Sequence, residues 1–137
     1  MGFTHYTQNA ILSELTGKTN TLNFNDVYLG LCTSVSMDGT YTELSGNGYS
    51  RVLLGNYSIT QLQYFGTPVN GSISNTKEIQ FPMATGNWST VGYGVMFNAA
   101  TGGSALAFGT ISGSLTVSMN EIGRIGPGAF NIYFSNI

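Results

Sequence analysis

The chain has 137 residues, of which only 7% are charged: four Lys and Arg stand against six Asp and Glu, for a net charge of −2. Soluble domains average about 25% charged residues, so cations are scarce. Nucleic-acid binding needs Lys and Arg to neutralise phosphates, and a polybasic membrane patch needs the same residues; Lys18, Arg51, Lys77 and Arg124 are too few and too scattered for either.

The first element is a helix, over about residues 3–16. Phe3, Tyr6, Ala10, Ile11 and Leu15 recur near the 3.6-residue period and form one apolar stripe, predicted to pack against a sheet. Thr4 reads as the N-cap, and Gly17 with Lys18 as the stop.

After Gly17 the pattern changes to strands and turns. Residues 27–33 form a continuous apolar run with a β-branched start, a buried strand. Asp38-Gly39 is a tight turn between extended pieces at 34–37 and 40–44. Gly46-Asn47-Gly48 turns the chain into a strand at 49–54. Another strand is expected at 58–65, ended by Gly66-Thr67-Pro68, and Asn70-Gly71 is the next break. Residues 77–81 alternate and are closed by Pro82. Strands at 91–99, 105–111 and 114–119 follow, the last two separated by Gly113. The final strand, 129–135, puts Phe130, Ile132 and Phe134 on one face.

Many short strands with frequent turns indicate a sandwich or barrel. No second helical pattern exists to make parallel crossovers. The fold expected is all-β: a jelly-roll-like or Greek-key β-sandwich with one N-terminal α-helix, as a single domain over 1–137.

Catalytic equipment is not found. The single histidine, His5, lies in the helix, and no nucleophile-elbow pattern surrounds any serine. A glycosidase needs two facing carboxylates. Asp26, Asp38 and Glu43 adjoin turns or strand boundaries, where acids are solvated. Glu78 alternates with Ile79 and should face outward, paired across the sheet. Asp26 with Asn23 and Asn25 offers hard oxygen ligands for Ca²⁺, but an Asx cluster stabilising a turn is the better reading. Gly46-Asn47-Gly48 and Gly126-Pro127-Gly128 lead into no helix and no Lys-Ser/Thr pair, so they are turns and not phosphate cradles.

One cysteine, Cys32, excludes an internal disulfide framework and a multi-cysteine zinc site. Inside its apolar run it is expected to be a small buried hydrophobe. No segment approaches the ~18 consecutive apolar residues of a membrane-spanning helix. The N-terminus lacks signal-peptide regions, so synthesis in a cytoplasm is expected and the sequons at Asn56, Asn70 and Asn87 are chance matches. No cofactor, metal or catalytic residue is assigned. Trp88, Tyr49, Arg51 and Tyr93 are assigned as interface or core anchors, with the core favoured for Trp88 because its indole needs one N–H partner.

One stretch carries a resemblance. Ile79-Gln80-Phe81-Pro82-Met83-Ala84-Thr85-Gly86-Asn87-Trp88-Ser89-Thr90-Val91, followed by Phe97-Asn98-Ala99-Ala100-Thr101-Gly102-Gly103, resembles a family of small tailed-bacteriophage virion proteins, tail-fibre-like or minor structural. Residues 9–12, 27–34 and 43–51 fit the same order, so the resemblance spans roughly residues 9 to 110. Ser89 stands where the family usually has Gly, and Asn98 where it usually has Asp; both changes are conservative for a turn or strand end. The resemblance implies a non-enzymatic β-sandwich component of the virion without a cofactor.

Low charge also suits an assembly surface, since charges are depleted from interface cores. The alternative is a neutral surface kept soluble by Asn, Ser and Thr. The expected partners are further copies of the chain, as a homotrimer, and other virion proteins such as the major capsid protein. Because no repetitive rod sequence is present, head decoration is the first expectation. A tail-associated or fibre-like role is the second, with glycan contact through Trp88, Tyr49 or Tyr93.

Overall fold

The computed structural model describes residues 2–18, 26–56 and 64–133. Its elements, in chain order, are β1 (Gly2–Phe3), α1 (His5–Leu15), β2 (Asp26–Val35), β3 (Tyr41–Glu43), β4 (Val52–Asn56), β5 (Ser72–Ser74), β6 (Ile79–Met83), β7 (Val91–Phe97), β8 (Ala105–Leu115), β9 (Ile122–Ile125) and β10 (Asn131–Tyr133). The main sheet runs β1-β8-β7-β2-β3, with β4 also paired to β2; β10-β5 and β6-β9 form two small sheets. Every pairing among these strands is antiparallel. The protein is an all-β sandwich with an N-terminal helix.

Alternation along β2 and β8, with a register shift between Val91 and Tyr93 of β7, accounts for the two layers. Leu29 and Leu31 of β2, Val91 of β7 and Ala107 and Ile111 of β8 share one core with Ile79, Phe81, Ile125, Phe130 and Ile132 from the small sheets. Cys32, Val95, Phe97 and Phe108 form a second buried cluster, joined by Val35, Tyr41 and Tyr93. A strand with both faces covered reads as a continuous apolar run, as 27–33 does.

Several boundaries differ from the sequence-based expectation. The helix starts at His5 because Gly2 and Phe3 pair with Phe108 and Ala107 of β8. Thr4 does not cap with its side chain: its hydroxyl donates to the carbonyl of Ala105 at 2.7 Å. Tying the chain to β8 there turns Thr7, not the apolar stripe, inward; Tyr6 and Leu15 are 52% and 76% exposed. The strands expected at 105–111 and 114–119 are one strand, β8, running on to Leu115. Gly113 and Ser114 adopt left-handed conformations (φ 79° and 61°), and the register against β7 shifts there, so the break is a bulge. Pro82 lies inside β6, at another register irregularity. Of the strand expected at 58–65, residues 58–63 lie outside the described residues, while Phe65 bridges Asn75.

The β5–β10 layer is positioned by one buried amide. Asn75, 1% exposed, donates through Nδ2 to the carbonyls of Lys77 and Gly126, each at 2.9 Å. Its Oδ1 accepts the N–H of Phe130 at 3.0 Å, and its backbone carbonyl accepts the N–H of Gly128 at 2.7 Å. No polar atom of its side chain is left unpaired, as burial requires.

Candidate functional site

The chain between β3 and β4 lies against two turns, 85–90 before β7 and 98–104 after it. Glu43 ends β3 and Arg51 precedes β4, and the two meet side on. Arg51 Nε donates to Glu43 Oε2 at 2.9 Å and Nη2 to Oε1 at 2.8 Å, the paired geometry that favours Arg with a carboxylate. Arg51 Nη1 donates to the carbonyls of Ala99 and Gly102 at 2.8 and 2.9 Å. The guanidinium carbon also sits 3.5 Å from the centroid of the Phe97 ring, a cation–π contact. Desolvation works against the charge, yet the hydrogen bonds and attraction of Glu43 hold the Arg51 pKa above its ordinary value.

Tyr49 joins this pair to the core. Its hydroxyl donates to Glu43 Oε2 and accepts the N–H of Leu31 at 2.8 Å. Burial, then the bond to Glu43, pushes the phenol pKa up. The ring stacks on Phe81 at 6.3 Å and meets Trp88 edge-on at 5.6 Å. Trp88 is buried, and its Nε1 donates to the carbonyl of Asn47 at 2.8 Å. Asn47 in turn donates through Nδ2 to the carbonyl of Asn87 at 3.1 Å.

Tyr49 and Arg51 therefore meet at Glu43, and Trp88 joins them through Tyr49. Tyr93 does not join them; it lies opposite Cys32 on β7 and packs on the second cluster. Glu43 corrects the expectation of a solvated acid: its side chain is only 16% exposed, against 4% for Arg51. The sequence signal that marks this position is Gly30, in the middle of an apolar strand. A Cβ there would lie 2.6 Å from Glu43 Oε2 and 2.8 Å from the Phe97 ring, the close approach that a strand glycine can report.

The other acids behave more simply. Asp38 is exposed, accepts from the Ser36 hydroxyl and the Thr40 N–H, and is held down at about 2 by those bonds. Glu78 faces outward as expected and pairs with Arg124 of β9 at 2.9 Å. Asn23 and Asn25 lie outside the described residues. Among the described residues no group of three His, Cys, Asp or Glu is placed to hold a metal ion. Nor is any helix long and apolar enough to cross a membrane. His5 is exposed at the start of α1, while Cys32 is fully buried.

Burial first, and then the charge of Glu43, pushes the Cys32 thiol up to about 12. The folded state thus holds this proton more tightly than the unfolded chain, whose thiol titrates near 9.0. The resulting stability is present below the unfolded value and is lost as pH rises through the folded one. Urea midpoints are expected to fall between pH 9.0 and about 12, and to fall less in Cys32→Ala. Equal slopes in the two proteins would refute this.

Two shallow grooves flank the β3–β4 connection, and Glu43 borders both. One, of about 280 Å³, runs between Thr33, Thr42 and Asn87 beside Trp88. The other, of about 250 Å³, lies between Tyr49, Arg51 and Thr101.

The model of a family described as podophage GP4 fiber I protein gp80 matches residues 2–133. No curated protein matches the chain.

Proposed function

The chain belongs to the podophage GP4 fiber I protein gp80 family, and on that premise we propose that it is a non-enzymatic module of the phage tail-fibre apparatus. The family is one of virion structural proteins, and the match over residues 2–133 is the observation that carries the proposal. It supports the tail-fibre reading over head decoration, which rested on the lack of a repetitive rod sequence. A fibre apparatus can include compact modules as well as shafts, so that lack does not argue against it.

The structure is compatible with a scaffold role. The polar groups that could have formed a reactive centre are spent on each other: Arg51 on Glu43, Ala99 and Gly102, and Tyr49 on Glu43 and Leu31. Few charges keep copies apart, and self-association as a homotrimer is part of the proposal, together with contacts to neighbouring virion proteins. Quantitative mass spectrometry of purified virions, with immunogold labelling, tests the location. A handful of copies at the tail is expected. Hundreds of copies spread over the head would restore the decoration reading and end this one.

A further inference from the structure

We propose that Asn70 is a site of spontaneous deamidation, converted in the folded protein to aspartate and isoaspartate with water as the only co-reactant. The chain holds three pairs in which Asn or Asp precedes Gly: Asp38-Gly39, Asn47-Gly48 and Asn70-Gly71. Such pairs are the most open to this reaction, because glycine has no Cβ to shield its backbone nitrogen. The structure separates the three by what holds each one.

Asn70 and Gly71 form the tip of a two-residue hairpin, with φ of 53° and 75°, the positive values that such turns favour. Val69 and Ser72 exchange both of their backbone bonds, at 2.9 and 3.0 Å, so the peptide between 70 and 71 is bracketed without being engaged. Both tip residues are exposed. Among the described residues, neither the Asn70 side chain nor the 70–71 peptide makes a hydrogen bond. The Gly71 nitrogen is therefore free to turn onto the Asn70 carboxamide. It bonds to Cγ and gives up its proton, the Cγ–Nδ2 bond breaks, and ammonia leaves behind a five-membered imide. Water then opens the ring on either side. Cleaving the new bond to Cγ leaves aspartate, and cleaving the bond to the main-chain carbonyl leaves isoaspartate.

The other two pairs are held. The Asn47 carbonyl accepts the N–H of Thr85 at 2.9 Å and Nε1 of Trp88 at 2.8 Å, which fixes the 47–48 peptide plane although Asn47 has the same φ of 53°. Its carboxamide donates to the Asn87 carbonyl at 3.1 Å and lies against Gly86, where an added Cβ would come 2.7 Å from Oδ1. At Asp38 the carboxylate accepts from Ser36 and Thr40, and the N–H of Gly39 is bonded to the Ser36 carbonyl at 3.1 Å. Conversion at position 70 has two consequences. One negative charge is added to a chain whose net charge is −2. Isoaspartate also routes the main chain through Cβ, and the extra backbone atom no longer fits a two-residue loop, which loosens the hairpin leading into β5.

The test uses the full chain, aged in mildly alkaline buffer and mapped by peptide mass spectrometry, with isoaspartyl methyltransferase labelling to detect isoaspartate. Position 70 should convert at least ~10-fold faster than position 47, the ratio expected when two hydrogen bonds must open at the slower site. The chain unfolded in guanidinium is the control, in which both Asn-Gly pairs should react at similar rates. Asn70→Gly, which keeps the backbone freedom the turn needs, should remove most of the released ammonia with an unchanged melting temperature. The proposal is overturned if position 70 stays intact while the unfolded chain reacts, if position 47 reacts as fast in the folded protein, if the same bias persists in guanidinium, or if aspartate forms without isoaspartate. None of these outcomes depends on where the protein sits in the virion, so the fibre assignment and this one fail separately.

Discussion

Replacing Arg51 by Ala is expected to cost about 3–5 kcal/mol of stability, the usual cost of removing one partner from a buried ion pair. Its side chain is only 4% exposed and that of Glu43 16%, so the Glu43 carboxylate would lose its counter-charge while staying largely out of water. The same change releases the carbonyls of Ala99 and Gly102 and removes the cation above Phe97. The loss would therefore reach the 98–104 turn as well as the β3–β4 connection. Replacing the pair together, Glu43→Leu with Arg51→Met, should recover much of it, because an apolar pair of similar volume carries no desolvation penalty. Urea unfolding of the two variants beside the wild type measures this. A loss under about 1 kcal/mol for Arg51→Ala, the range of exposed pairs, would show that the pair does not hold the site together.

Gly109→Ala is expected to be the most damaging of the small substitutions. Gly109 lies on β8 where β10 crosses, and an added Cβ would sit 2.1 Å from the Asn131 carbonyl oxygen and 3.2 Å from the Phe130 ring. The first of these is backbone, so the layers must move apart, and overpacking of this kind costs at least about 3 kcal/mol, the upper end of its usual range. Gly92→Ala is the control, because its nearest neighbour would be the Ser114 hydroxyl at 4.0 Å. Thermal melts should separate the two clearly. Similar melting temperatures would mean that the β8–β10 approach is looser than described.

The layered β architecture was readable because its signals are local. Alternation, continuous apolar runs and Gly or Asn turns each report on a few residues, and β2, β7 and the Asp38-Gly39 hairpin follow from them. What depended on distant partners was not readable. Thr4 looks like a helix cap until β8 offers it the carbonyl of Ala105, 101 residues away. Gly113 looks like a strand break until β8 is seen to continue past it, pairing Leu115 with Val91 of β7. The short strands β5 and β9 have too few residues to show a period. In the site, Trp88 was legible as a core anchor because a lone indole needs burial and one acceptor. Glu43 was not, because its partner arrives only after the 44–50 connection has turned back along β2.

The buried amide of Asn75 has a consequence for how the fold excludes its own errors. If the segment carrying Phe130 slid by one residue against Asn75, the apolar face of Phe130 and Ile132 would turn away from the core. The carbonyl of Gly126, the N–H of Phe130 and the Oδ1 of the amide would also lose partners together. Each unpaired buried group costs about 1–3 kcal/mol, so the penalties compound in a single step. An aliphatic residue could fill the same space but would penalise such a slip far less. Asn75 thus acts as a proofreading device: it discriminates the correct alignment from its nearest competitor by more than it stabilises the correct one.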